Sequence, residues 1–132
     1  VSELTLICGR CSKPVATGTG FLGVSLGEVR QYQAAVREWR KRNPGDCHDI
    51  HDLMAMPEEI VWRSRHYACA PGADDDAYEI AAERIQTWQR LTWWSAHLMG
   101  KNWIYATDWD ELLEEVASGT STRIMAAAAS AA

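Results

Sequence analysis

Three cysteines and one histidine, widely separated along the chain, carry the strongest chemical signal. Cys8 and Cys11 form a C-x-x-C turn, and His66 and Cys69 form an H-x-x-C pair just past the midpoint. Three thiolates and one imidazole suit a tetrahedral structural Zn²⁺ site that leaves no position for a substrate. A C-x-x-C alone is a weak signal. A second pair at the end of a strand strengthens it. A rival set keeps the three sulfurs and puts Cys47 in the place of His66. An iron–sulfur cluster on four cysteines fits less well, because their spacing is unlike the compact runs of ferredoxins. A redox role for the C-x-x-C lacks a surrounding βαβ pattern.

A second cluster lies at Asp46–Asp52, where Cys47, His48 and His51 stand among aspartates. These residue types can bind a metal, and with Asp49 or Asp52 they could form the open site of a metal-dependent nuclease or hydrolase. The blander reading is a surface loop. Thr17–Gly20 is glycine-rich but lacks the Gly-Lys-Ser/Thr of a phosphate loop. No calcium-loop pattern surrounds the acidic turn at Ala73–Asp76.

These residues need elements to position them. Glu3–Ile7 reads as a short strand leading into the knuckle, with Gly9 easing its turn and Pro14 closing it. Val15–Ser25 reads as a glycine-laced β-hairpin. Ser25 and Glu28 fit a capping box opening a helix that runs to about Arg42 and stops at Asn43-Pro44-Gly45. Val29, Tyr32, Val36 and Trp39 give that helix one apolar stripe. Arg30, Arg37, Arg40, Lys41 and Arg42 lie on its other faces and are the candidate nucleic-acid contacts.

Ile60–His66 alternates as a strand, with Ile60, Trp62, Ser64 and His66 on one side. Tyr78–Ile85 reads as a strand or a loose helical turn. Thr87 caps a helix reaching Met99, with Gly100 after it. Leu91, Trp94 and Leu98 stripe that helix, and His97 reads as a core or boundary histidine. Asp108–Ala117 reads as a last helix, with Asp108, Asp110 and Glu111 suiting its positive end. Ser118–Ala132 is Ser/Thr/Ala-rich and reads as a flexible tail.

Six of the seven tryptophans lie beyond residue 60. Adjacent Trp93 and Trp94 diverge by about 100° on a helix, so both cannot face one core. An exposed tryptophan is a good interface anchor, which makes this pair the candidate partner-binding site.

The knuckle Cys8-Gly-Arg-Cys11-Ser-Lys-Pro14, the glycine-rich segment after it, and the strand running into His66-Tyr-Ala-Cys69 resemble treble-clef zinc fingers of the LIM-like kind. The likeness covers Leu4–Ala70, about half of the 132 residues. It implies a second ligand pair at the first turn of a helix, and a role in protein binding. The inserted helix and the Cys47 loop depart from the usual length of such fingers. The whole chain also resembles small proteins of actinobacteria and their phages through Ala96–Lys101, Trp103 and Thr107–Trp109. That second likeness implies no particular activity.

The expected architecture is therefore α+β. A small treble-clef finger (1–70) with an inserted helix is joined to two tryptophan-rich helices (71–117) in one zinc-stabilised domain, followed by the tail 118–132. Apolar residues make up 47% of the chain, enough for a packed core, and no run of about 18 apolar residues occurs. A signal peptide is not evident, so a cytoplasmic setting is expected, in a bacterium or in the host of a phage. Net charge is −5, unevenly spread: residues 1–45 hold seven Lys/Arg against three acids, and the remainder six against fifteen. The acidic total argues against a protein that coats polyanions. The functional expectation is a zinc-binding accessory or regulatory protein that acts as a protein-interaction module, with nucleic-acid contacts through residues 28–42 as a second route. Catalysis by the Cys47–His51 cluster is the alternative.

Overall fold

A computed structural model describes residues 3–70, 72 and 76–127. Residues 73–75 of the acidic turn, and the end of the expected tail (128–132), lie outside them. The described residues form an α+β fold with two small sheets and four α-helices. The strands are β1 (Leu4–Leu6), β2 (Gly20–Ser25), β3 (Arg63–His66), β4 (Ala77–Ala81) and β5 (Ile124–Ala126). The helices are α1 (Leu26–Arg42), α2 (Ile50–Met54), α3 (Trp88–Met99) and α4 (Trp109–Ser118). No helix among the described residues is long and apolar enough to cross a membrane.

The larger sheet has β2 at its centre, antiparallel to β3 on one side and β4 on the other. The hairpin expected within Val15–Ser25 is not formed. Residues 14 and 15 turn back on β1 instead, through an Ile7–Pro14 bridge and a Val15 N–H donated to the Leu6 carbonyl at 2.8 Å. The local hairpin is thus the knuckle itself, and β2 finds its partners downstream. Gly20 makes this pairing possible. A β-carbon there would collide with the Arg65 carbonyl and lie 2.5 Å from the Val15 side chain. Any larger residue would push β2 away from His66, its register partner.

β1 pairs with β5, Leu4 facing Ala126 and Leu6 facing Ile124. This corrects the expected tail. Ser121 and Ile124 are buried, and Arg123 reaches into the fold to Asp108 and Glu115. Low sequence complexity concealed one well-placed isoleucine and one arginine among small residues.

The core lies between the sheets and α3 and α4. Leu4, Leu22, Trp62, Ile80, Ile85, Leu98, Leu112 and Ile124 are its most enclosed side chains. Trp62 is fully buried, and Trp109 meets it edge-on at 4.9 Å. Its indole N–H donates to the Thr107 hydroxyl at 2.9 Å, so burial leaves no polar atom unpaired. The alternation read at 60–66 is visible in burial, since Trp62 and Ser64 are enclosed while Val61 and Arg63 are exposed. The regular strand is shorter than that segment and covers only Arg63–His66.

α1 begins as its cap requires, with the Glu28 N–H donated to Ser25 Oγ at 3.3 Å. Val29 and Trp39 are its buried residues. α3 is capped by Thr87, which accepts from the Arg90 N–H at 3.1 Å. At α4, Asp110 and Glu111 stand in the first turn as expected. The Asp108 carboxylate makes no capping bond and turns into the fold, to the Trp62 N–H and Arg123.

Candidate metal centre

The knuckle and the end of β3 bring Cys8, Cys11, His66 and Cys69 together. Their three sulfurs and one ring nitrogen all lie within 4.8 Å of one another. His66 Nδ1 is 3.3 Å from Cys11 Sγ and 4.0 Å from Cys69 Sγ. A tetrahedral ion with metal–sulfur arms of about 2.3 Å needs ligand atoms roughly 3.8 Å apart. The donor set therefore fits a metal ion in both chemistry and spacing.

Each ligand is placed by backbone. Cys8 follows β1 and is buried, while Cys11 is exposed and His66 and Cys69 are half-buried. The Ser12 N–H closes the knuckle onto the Cys8 carbonyl at 2.9 Å. The left-handed residue of this turn is Ser12 (φ 62°) and not Gly9. Gly9 matters for a different reason: a side chain there would strike the Arg65 guanidinium. The Gly9 N–H donates to the Ser64 carbonyl at 2.8 Å, and the Ser64 hydroxyl donates to the Ile7 carbonyl at 2.5 Å. These two bonds stitch the knuckle to β3. The expected helical turn after His66 is a single 3-10 turn, Tyr67–Cys69.

His66 is held in the orientation a ligand needs. Its Nε2–H donates to the Pro14 carbonyl at 2.9 Å, which leaves the Nδ1 lone pair facing the sulfurs. The Arg10 N–H points at Cys8 Sγ from 3.4 Å. Burial pushes the Cys8 thiol up, but the backbone N–H groups of Cys11, His66 and Arg10 outweigh it and bring it down to about 5. Burial, together with the neighbouring Cys8 and Cys11 sulfurs, pushes the Cys69 thiol up. One thiolate is thus welcome and the next is opposed. A bound cation removes that opposition.

Ser64→Ala tests the stitch between knuckle and strand. It leaves the Ile7 carbonyl without its hydroxyl partner and should cost about 1–2 kcal/mol, read as a lower Tm.

The other candidates are placed elsewhere. Cys47 is exposed and does not join the cluster. His48 packs its ring 4.8 Å from Trp39 and shares a 2.8 Å hydrogen bond with the Asn43 carbonyl. The Trp39 indole donates to the Asp52 carbonyl at 2.8 Å. The 43–52 loop is therefore a lid over Trp39. His51 is exposed on α2, and among the described residues no second group of such side chains converges. On α1, Arg30 pairs with Asp76 at 2.7 Å and Lys41 with Glu38 at 3.2 Å, both in exposed positions. Arg37, Arg40 and Arg42 are exposed.

Trp94 is 8% exposed and belongs to the core, whereas Trp93 is 50% exposed. The Trp93 ring stacks on His97 at 5.0 Å with planes 8° apart. His97 is exposed, outside the core or boundary position expected for it. Sequence reasoning missed two further groups. The Asp108–Arg123 pair carries no motif, and Arg10, Arg63 and Arg65 become neighbours only through folding. The alternation at 60–66, with two arginines on one side, was the available signal for Arg63 and Arg65.

No family model, no curated protein and no solved structure matches the chain.

Proposed function

We infer that the chain is a zinc-stabilised binding module, an accessory or regulatory protein that docks a protein partner through the exposed side of α3. The observation that carries the zinc assignment is the closed Cys₃His donor set. Soft thiolates with one imidazole favour zinc, and four protein ligands leave no site for a catalytic water. Two features of the arrangement support a treble-clef reading. A knuckle hairpin supplies one ligand pair, and a strand delivers the other at a turn. It departs from that type in the length inserted between them.

Support for a protein partner comes from Trp93. A half-exposed indole, stiffened by stacking on His97, loses little freedom on binding and offers a large apolar area. The nucleic-acid route through Arg30, Arg37, Arg40, Lys41 and Arg42 has weaker support, because exposed acids pair with two of the five. The hydrolase alternative needs Cys47, His48 and His51 to share a metal, and His48 is engaged with Trp39 and Asn43.

Two measurements test this reading. Metal analysis should find one zinc per chain, and no hydrolysis of nucleic acid should follow from adding magnesium or manganese. A second metal lost on His51→Ala would favour the hydrolase. Trp93→Ala should change stability by no more than about 0.5 kcal/mol. A photo-crosslinker at position 93, used in the cell that makes the protein, should capture one defined partner. Crosslinking no different from that of an exposed position on α1 would remove the docking assignment.

A further inference from the structure

A cleft of about 390 Å³ lies over the open face of the three-stranded sheet, a volume within the usual range of small-ligand sites. Strand register builds it. Across one row, Gly23 of β2 is flanked by Arg63 of β3 and Glu79 of β4. In the neighbouring row Phe21 is flanked by Arg65. The Phe21 ring leans over Gly23, whose built β-carbon would lie 3.1 Å from it. An aromatic surface thus occupies the middle of the cleft. Tyr67 extends it, its ring centroid 5.4 Å from that of Phe21.

The two sides of this platform differ in charge. On the β3 side stand three guanidinium groups, those of Arg63, Arg65 and, from the knuckle, Arg10. Arg65 donates to the Ser64 carbonyl at 2.9 Å, Arg10 to the Cys69 carbonyl at 3.2 Å, and Arg63 lies 3.9 Å from Glu28. Each guanidinium has five N–H donors, so most remain for a ligand. On the β4 side stands Glu79, exposed. In a chain of net charge −5 a concentration of three arginines around one aromatic ring is a local inversion.

We propose that this cleft binds a nucleoside monophosphate, with phosphate on the arginines, the base stacked on Phe21, and its N–H edge donated to Glu79. Guanidinium forks match phosphate oxygens two at a time. Every base stacks on an aromatic face. A single carboxylate can accept two adjacent N–H donors, and guanine is the base that presents such a pair, from its ring nitrogen and its exocyclic amine. Guanine is therefore the preferred base. The same chemistry could be met by a free nucleotide or by one unit of a single strand. This assignment is independent of the docking role of α3, which lies on other residues.

The test uses the full, metal-loaded chain and isothermal titration with guanosine monophosphate, uridine monophosphate, inorganic phosphate and a short guanine-containing single strand. The expected result is saturable binding of guanosine monophosphate at one site per chain, tighter than uridine monophosphate and far tighter than phosphate. Arg63→Gln and Arg65→Gln should each weaken it about tenfold. Glu79→Gln is exposed and should leave the fold intact; it should remove the preference for guanine and leave uridine monophosphate unchanged. Tighter binding of the strand than of the nucleotide assigns the site to single-stranded nucleic acid, and the reverse assigns it to free nucleotide. No saturable binding of either would overturn the proposal. So would phosphate binding as tightly as the nucleotide, or a guanine preference that survives Glu79→Gln. Trp93→Ala should leave every one of these affinities unchanged.

Discussion

Cys8→Ser is expected to cost the protein its metal and its cooperative thermal transition. Cys8 is the enclosed ligand, it follows β1 directly, and the Arg10 amide is already aimed at its sulfur. Serine cannot supply a thiolate, and three remaining donors hold zinc poorly. Structural zinc contributes an apparent ~10–16 kcal/mol in small fingers. That exceeds the ~5–15 kcal/mol net stability of most domains. His66→Ala should act in the same direction, whereas Cys47→Ser should keep full zinc. Full zinc in His66→Ala together with loss in Cys47→Ser would reverse the choice of fourth ligand. Acid should mimic the mutation. Protons compete with the metal for each thiolate, so zinc is released as pH falls. In the metal-free chain the direction is the same. A thiol held at about 5, below its ordinary 9.0, contributes stability that is complete above the ordinary value. That contribution shrinks as pH falls and is gone below about 5. Thermal scans across that interval, with and without chelator, separate the two effects.

Asp108→Asn is expected to destabilise the fold by about 3–5 kcal/mol, although it touches neither the metal nor any exposed surface. Asp108 accepts the Trp62 N–H at 2.8 Å through one oxygen and Arg123 at 2.8 Å through the other. Arg123 also donates to the Trp62 carbonyl at 2.9 Å and pairs with Glu115 at 3.3 Å. Both partners are nearly enclosed, the side chains of Asp108 and Arg123 being 7% and 13% exposed. An amide keeps the shape but leaves Arg123 short of one counter-charge in a poorly solvated place. It can also turn its own N–H₂ toward donors that need an acceptor. A double-mutant cycle with Arg123→Leu should show strong coupling, the double variant losing less than the two single losses together. Simple additivity would mean the pair is incidental.

The cluster of Cys8, Cys11, His66 and Cys69 was legible because its signals are local. Two short spacings and one alternating strand identify its members. Helices α1, α3 and α4 were legible for a similar reason, since Ser25, Thr87 and the tryptophan and leucine stripes are signals within one turn or two. What was not legible is pairing over distance. Nothing near Gly20 says that β3 will approach it, so Val15–Ser25 reads as a hairpin of its own. Ser118–Ala132 reads as a tail because a three-residue strand has too few positions to show a period. Asp108 reads only as an acid at a helix end because its partner Arg123 lies fifteen residues on. The Cys47–His51 segment reads first as a surface loop, and in the fold it packs His48 against Trp39 while Cys47 and His51 are exposed.

The pairing of β1 with β5 also sets an order of events during synthesis. The Ile7 N–H donates to the Arg123 carbonyl at 2.8 Å, one residue before the first metal ligand. The knuckle lies at Cys8–Cys11, whereas the strand that steadies it lies at Ile124–Ala126. Contacts so distant in sequence form slowly. A chain made only as far as the knuckle therefore carries Cys8 and Cys11 beside a strand that still lacks its partner. Strand β1, which ends two residues before Cys8, is completed only when Ile124–Ala126 has been made and has paired with it.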